Sequence, residues 1–333
     1  MLHISESKAL KDAGLKEFRE FLSRPRTGAA LDCDYVTIFP PITYFGGKRS
    51  MVIPVWTRFG FNVPNFIEPC AGGAAVFFGR PPNIHNHFRR ELINDPYSQL
   101  INAYRTLKYS DPQVIADICD EPYFELDLTS WNLTMIENAE RLRSAISKDP
   151  KYKDELLGSR WIWQNRGWIA GGACDPAITV NSKMPRSRIA GWHMNSATRL
   201  FETLKARLKN TQIYCGGFER AISSGTQTTH FLVTAIFIDP PYPAGFCSWP
   251  YPSQRNSAAW EAFEIAIKLG RDPSFRIAFC GYGRIFAALF EKEGWEMVRC
   301  LNQGGYSNQG TAGRGKDNRN DEYIWFSPGC LRP

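Results

Sequence analysis

Val233-Thr234-Ala235-Ile236-Phe237-Ile238 runs without a break into Asp239-Pro240-Pro241-Tyr242, and this stretch decides the fold. Its first six residues are apolar or β-branched and read as a strand. An acidic residue, two prolines and an aromatic ring then stand at the carboxyl end of that strand, which is where open α/β sheets bind their ligands. Consecutive prolines fix the backbone and remove two N–H groups, so the turn offers carbonyls without competing donors. The Asp239 carboxylate and the Pro240 carbonyl can together accept both protons of an exocyclic amine. The Tyr242 ring can stack on a base swung out of its helix. At about 5% usage per residue type, the tetrapeptide arises by chance in roughly a few chains per thousand.

Outward from this turn, short apolar strands alternate with helical stretches. The strands are expected at Asn65 to Glu68, Glu91 to Asn94, Thr211 to Cys215, Val233 to Ile238, Arg276 to Cys280, Trp295 to Cys300 and Tyr323 to Phe326. Such alternation predicts a mainly parallel sheet with helices on both faces. Between about Ser110 and Asn210 the strand pattern gives way to helical runs with aromatic and basic residues, read as an inserted substrate domain. The main domain then comprises 41–109 and 211–333, with the insertion at 110–210. Residues 1–40 form an N-terminal extension, helical from Ser5 to Ser23 by the spacing of Leu10, Leu15, Phe18 and Leu22. Gln303 to Asp321, rich in Gly, Asn, Arg and Lys, is expected as a long loop between the last two strands.

Two further strand ends carry ligand-type residues. Asn65-Phe66-Ile67-Glu68 leads into Pro69-Cys70-Ala71-Gly72-Gly73-Ala74 and a helix from about Ala75. Small residues there let a ligand approach the backbone closely. The turn is not G-x-G-x-x-G, which argues against a nicotinamide dehydrogenase. One strand later, Glu91-Leu92-Ile93-Asn94-Asp95 ends in a carboxylate placed to take two ribose hydroxyls, or else to cap the helix Pro96 to Leu107. Near the start, Thr43-Tyr44-Phe45-Gly46-Gly47-Lys48 puts a cation and an aromatic on a tight turn before a helix around Met51 to Trp56. A lysine in such a turn can meet a carboxylate or a phosphate.

The chain has 333 residues, 43% hydrophobic and 22% charged, enough to bury a full core. Its longest apolar runs are strand-length, and the N-terminus interrupts its apolar residues with Glu6, Lys8, Lys11 and Asp12. That pattern excludes a membrane span and a signal peptide and predicts a cytoplasmic protein. Nine dispersed cysteines form no close pair of the zinc-ribbon or redox type and are expected to be reduced and mostly buried. A formal charge of +7 is compatible with a polyanionic partner.

Taken together, the motifs resemble the Dam-like, alpha-group DNA adenine-N6 methyltransferases. Tyr44-Phe45-Gly46-Gly47-Lys48 is similar to that family's aromatic-x-Gly-Gly-Lys turn. Phe66 to Val76 is similar to its glycine-rich loop, and Ile93 to Tyr104 to its Ile-Asn-Asp pattern. Asp239 to Tyr242 matches its Asp-Pro-Pro-Tyr, and Asn318 to Pro328 looks like its final strand, with Glu322 and Trp325 at matching places. The resemblance covers roughly 40–110 and 210–327. It implies a Rossmann-like class I methyltransferase sheet and S-adenosylmethionine as cofactor. Tyr44, Gly47, Lys48, Glu68, Pro69, Cys70, Ala71, Gly72, Gly73, Ala74, Asp95, Phe218 and Asp239 would hold the cofactor. Asp239, Pro240 and Tyr242 would act on the flipped adenine.

Cys70 and Ala74-Ala75 stand where the family usually carries Phe and Gly-Ser. Gly217 stands where many relatives have an Asp just before the aromatic that stacks on the cofactor's adenine. Losing that acceptor costs about 1 kcal/mol, or around fivefold in affinity.

Double-stranded DNA is the expected partner of a monomer or weak dimer, in a bacterial or phage-infected cell and in a restriction-modification setting. Lys48, Arg166, Lys183, Arg186, Arg188, Arg314, Lys316 and Arg319 are the expected DNA contacts, with Trp161, Trp163 and Trp168 either stacking on bases or filling the core. Methyl transfer from a sulfonium is an in-line displacement that calls for no metal. Two alternatives are an amine methyltransferase acting on RNA adenine or cytosine N4, and a catalytically silent DNA-binding relative.

Overall fold

A computed structural model describes residues 47–81, 90–167, 194–227, 232–241, 257–300 and 321–333. The described strands form one sheet: β1 (Asn65–Glu68), β2 (Arg90–Asp95), β3 (Thr211–Cys215), β4 (Thr234–Ile238), β5 (Phe275–Tyr282), β6 (Glu296–Arg299) and β7 (Glu322–Phe326). Their order is β3-β2-β1-β4-β5-β7-β6. The first five run parallel, while β7 pairs antiparallel with both β5 and β6. This is the Rossmann-like sheet that the resemblance implies.

Each central strand is covered on both faces, and its residues alternate between two cores. Phe66, Ile93, Ala235, Phe237, Ala278, Cys280, Ile324 and Phe326 belong to one cluster. Their chain neighbours Ile67, Leu92, Ile236, Ile238, Ile277, Phe279 and Trp325 belong to the other. The period-two geometry of a strand produces this division, and burial on both sides explains why Thr234–Ile238 is continuously apolar.

On the first face lie α1 (Val52–Phe59), α2 (Ala75–Phe78) and α3 (Ser98–Tyr109), and on the second α9 (Phe218–Gln227), α10 (Ala258–Gly270) and α11 (Gly283–Lys292). Between α3 and β3 the chain forms α4 (Pro112–Cys119), α5 (Glu125–Glu137), α6 (Ala139–Lys148), α7 (Glu155–Gly167) and α8 (Met194–Leu208). Asp111 caps α4 by accepting from the Gln113 amide at 2.9 Å, with Pro112 at the first helical position. Ile115, Trp161, Trp163, Phe201 and Leu208 of these helices join the same core as Phe66 and Ile93, so the helical segment and the sheet face share one apolar interior.

A charged network fastens the end of that segment to the sheet. Glu91 of β2 pairs with Arg80 at 2.9 Å and with Arg207 of α8 at 2.5 Å. Arg207 also donates to the Phe77 carbonyl at 2.7 Å and lies over the Phe77 ring. Among the described residues no helix is long and apolar enough to cross a membrane.

The strand order reverses at β1 and β4, with β2 and β3 on one side and β5 on the other. That topological switch point opens a crevice at the carboxyl ends of the parallel strands. Asp95, Asp239 and the turn after Glu68 all stand on this edge.

Candidate active site

Asp239 leaves the sheet directly after β4, at the edge of the crevice. Its Oδ2 lies 2.9 Å from the Nζ of Lys48. The same ammonium lies 2.9 Å from Oε1 of Glu322, the first residue of β7. Lys48 is only 3% exposed, so its two carboxylate partners take the place of water. Burial by itself would lower its pKa, but the fields of Asp239 and Glu322 outweigh that cost and hold it well above the ordinary lysine value. Lys48 is therefore a cation throughout the working pH range. Pro240 is buried and Pro241 half-buried beside it, while Gly47 is exposed.

The turn after β1 is built from the backbone of three strand ends. Ala71 donates to the Asn94 carbonyl at 2.8 Å, and the Asn94 amide donates to the carbonyls of Pro69 at 2.8 Å and Gly216 at 3.0 Å. The Tyr104 hydroxyl donates to the Gly72 carbonyl at 2.6 Å. Gly72 and Ala74 both adopt left-handed backbone, with φ of 46° and 50°. Only glycine takes that conformation without cost. Buried Glu68 accepts from the Phe77 amide at 2.8 Å, satisfying one of the donors at the start of α2. Burial raises its pKa well above the ordinary carboxylate value.

Asp95 accepts from the Gly72 amide at 3.0 Å through Oδ2 and from the Tyr97 amide at 2.9 Å through Oδ1. Each oxygen thus carries one backbone hydrogen bond and retains a second acceptor position. Burial pushes its pKa up to about 6, against the pull of these two amides. Tyr97, not Asp95, is the N-cap of α3, so the carboxylate serves the turn and the strand end together.

Beside it, Gly217 precedes α9, and a Cβ there would lie 2.3–2.6 Å from the Glu219 carboxylate. The acid two residues on folds back over the position where a side chain at 217 would begin. Phe218 is buried and packs with Ile67 and Leu92 in the second core. Burial raises the pKa of the Cys70 thiol well above normal, and the nearby Asp95, Asp239, Glu68 and Glu219 push it the same way. Asp95 and Asp239 thus bring carboxylates from two strand ends to the crevice edge.

Lys48, the 68–74 turn, Asp95, Phe218, Asp239 and Pro240 are thus all placed around the carboxyl edge of the sheet. Tyr44 and Tyr242 lie outside the described residues, as do Lys183, Arg186, Arg188, Arg314, Lys316 and Arg319, the side chain of Arg166, and Trp168. Trp161 and Trp163 are buried, which assigns them to packing and removes them from base stacking. Trp163 donates to the Glu121 carbonyl at 2.8 Å and stacks on Tyr123 at 4.8 Å.

Three contributors escape a reading of motifs alone. Asn94 and Tyr104 fall inside the matched Ile93 to Tyr104 pattern, but nothing in that pattern marks their task of holding the turn through its carbonyls. Glu219 is found only by looking two residues beyond the glycine that lacks a side chain. Of the described cysteines, Cys119, Cys280, Cys300 and Cys330 are buried and Cys70 and Cys215 half-buried, and none is disulfide-bonded.

Comparison with known proteins agrees with this geometry. Residues 44–147 match the profile of the D12 class N6 adenine-specific DNA methyltransferases, a stretch that includes Lys48, the 68–74 turn and Asp95. The chain is 24% identical over 228 residues to the type II methyltransferase M.CviBI of Paramecium bursaria Chlorella virus NC1A, covering 64% of this chain and 73% of the viral protein. It is 25% identical over 217 residues to the type II methyltransferase M1.LlaDCHI of Lactococcus lactis subsp. cremoris, covering 62% and 66%. The chain is thus similar, over 44–147, to the D12 class N6 adenine-specific DNA methyltransferases, and the Asp-Pro-Pro turn at the end of β4 stands on the same edge of the sheet as the matched Asp95 and 68–74 turn.

Proposed function

We propose that the protein is a site-specific methyltransferase that uses S-adenosylmethionine to methylate N6 of an adenine rotated out of double-stranded DNA. The observation that carries this reading is the Asp239 carboxylate, held by buried Lys48 at the carboxyl end of β4. The residues present fit the cofactor by charge and by shape. Asp239, and Asp95 above its pKa of about 6, put negative charge at the crevice edge, which suits a sulfonium, and the backbone of the 68–74 turn is pinned close to the strand ends. When bound, S-adenosylmethionine supplies an electrophilic methyl group. Asp95 would take the ribose hydroxyls, Gly72, Gly73 and Ala74 would face the cofactor backbone-first, and Phe218 and Tyr44 would supply apolar surface.

The work of the protein is to align the amine and raise its nucleophilicity. Asp239, anchored through Oδ2, accepts one N6–H, the Pro240 carbonyl accepts the other, and Tyr242 stacks on the purine. Accepting both protons withdraws the nitrogen lone pair from conjugation with the ring. Alignment alone can contribute on the order of 7 kcal/mol. Because Lys48 is already protonated, the proton leaving N6 after methylation passes to Asp239 or to water, not to the lysine. In this reading the 110–210 segment reads the target site, and Arg166, Lys183, Arg186, Arg188, Arg314, Lys316 and Arg319 grip phosphates. The setting is the cytoplasm of a bacterial or virus-infected cell.

Tritiated-methyl transfer to unmethylated genomic DNA tests the reading, with digestion to nucleosides identifying the product as N6-methyladenine. Asp239→Ala should lower kcat at least about 100-fold while leaving the affinity for S-adenosylmethionine within a few-fold, since it removes a contact made to the reacting amine. Full activity in that variant would refute the role given to Asp239.

A further inference from the structure

We infer that Glu322 is a positioning residue for methyl transfer, acting through Lys48 on Asp239; the inference rests on Asp239 being the amine acceptor. Glu322 opens β7, and β7 is antiparallel to its neighbour β5. The amino end of an antiparallel strand lies beside the carboxyl ends of the parallel ones, so Glu322 reaches the crevice edge from the opposite chain direction. Register places it opposite Tyr282, the last residue of β5. Its backbone is fixed on both sides: the Cys300 amide donates to the Glu322 carbonyl at 2.9 Å, and the Gly283 amide donates to the Asp321 carbonyl at 2.8 Å. Its side chain is 11% exposed and that of Lys48 is 3% exposed, so their contact of 2.9 Å is closed off from most solvent.

Lys48 and Asp239 already balance one positive and one negative charge, and burying a further carboxylate there costs stability unless it is paired. With Glu322, Lys48 faces two carboxylates among the described residues. Two effects follow. The ammonium is shared, so it does not fully neutralise Asp239 as a hydrogen-bond acceptor. It is also held between two anchors, so it fixes the Asp239 carboxylate in one place. Two further described groups that act on Lys48, Cys280 and Cys300, are thiols whose own pKa values burial raises, so they add no charge at neutral pH.

The test is a double-mutant cycle of Glu322→Gln and Lys48→Met, read by initial rates of methyl transfer and separately by calorimetric affinity for S-adenosylmethionine. Glu322→Gln, which keeps the shape of the side chain, should lower kcat about 10- to 100-fold, less than removal of a group that touches the substrate. KM for DNA and cofactor affinity should change less than about threefold, and Glu322→Asp should recover part of the rate. In the Lys48→Met background, Glu322→Gln should cost nothing further or restore some rate, because the residue through which it acts is gone. Equal losses in both backgrounds, or a Glu322→Gln enzyme with full kcat, overturns the inference. If Glu322→Gln melts far below wild type, the uncharged Lys48→Met/Glu322→Gln pair is compared with Lys48→Met alone, and any further loss of kcat again overturns it. Absence of methyl transfer by the wild-type enzyme would instead sink the reading of Asp239 on which the inference rests.

Discussion

Asp95 shows how burial and hydrogen bonding set the state of one side chain in opposite directions. Desolvation favours its neutral form, the amides of Gly72 and Tyr97 favour its charged form, and the balance leaves its pKa at about 6. A carboxylate raised this far above its unfolded value binds its proton more tightly in the folded chain. Its contribution to stability is present at low pH and is lost as pH rises from about 4 through about 6. Cofactor binding should show the reverse trend, because only the ionised group can accept from both ribose hydroxyls. At pH 5 about one tenth of Asp95 is ionised, so affinity for S-adenosylmethionine should be about tenfold weaker than above pH 7, with the slope removed in Asp95→Asn. Calorimetric titration across pH 5–8 measures this, and a flat profile in the wild type would exclude Asp95 as the acceptor. Gly217 illustrates the converse. The glycine withholds a side chain from the crevice, and the Glu219 carboxylate comes to lie where one would start.

At the scale of elements, the turn from β1 to α2 stores a small backbone cost in order to bring the chain close to the crevice. Ala74 is the one described non-glycine residue with positive φ, in a conformation that costs an L-residue about 1–2 kcal/mol. Ala74→Gly relieves that cost but frees the unfolded chain by roughly 0.4–1 kcal/mol, so the variant should be more stable by up to about 1 kcal/mol. Urea denaturation checks this, and a clear destabilisation would show that the Ala74 methyl contributes more to packing than its backbone costs. Strand β2 has a related character. Arg90–Asp95 is largely polar yet sits inside the sheet, because Glu91, Asn94 and Asp95 each meet specific partners: arginines, carbonyls and amides in turn. Its sequence reads weakly as a strand for that reason, and its pairing with β1 and β3 supplies the stability that its composition lacks.

Over the whole molecule, the helices between α3 and β3 are tied to the sheet by a shared apolar core and by Glu91 with its two arginines. Glu91 and Arg80 are each 5% exposed, so removing the carboxylate takes from the interior the charge that both arginines meet. Glu91→Leu should destabilise the fold by about 3–5 kcal/mol in chemical denaturation. A loss under 1 kcal/mol would mean that the network is replaceable by apolar packing. The same continuity explains the tryptophans of α7. Trp161 and Trp163 stand in sequence among basic residues that suggest nucleic-acid contact, but the helix turns both rings inward, and Arg160 lies over the Trp163 ring and pairs with Glu121 at 2.6 Å.

What the sequence determined by itself were the features that rest on local chemistry and period. Strand alternation, the donor-free turn after Ile238, the small-residue turn after Glu68 and the acid ending β2 are each written in neighbouring residues, and each is found at a strand's carboxyl end. Boundaries shifted by only a residue or two, as in β5, which extends to Tyr282, and α3, which starts at Ser98. Tertiary structure alone decided which distant groups meet. Lys48, Asp239 and Glu322 are separated by most of the chain, and only the strand order, with β7 inserted antiparallel between β5 and β6, brings them within 2.9 Å of one ammonium. The same holds for Asn94 bridging Pro69 and Gly216, because a side chain's hydrogen-bond partners are set by which strand ends lie side by side, and no local pattern encodes that.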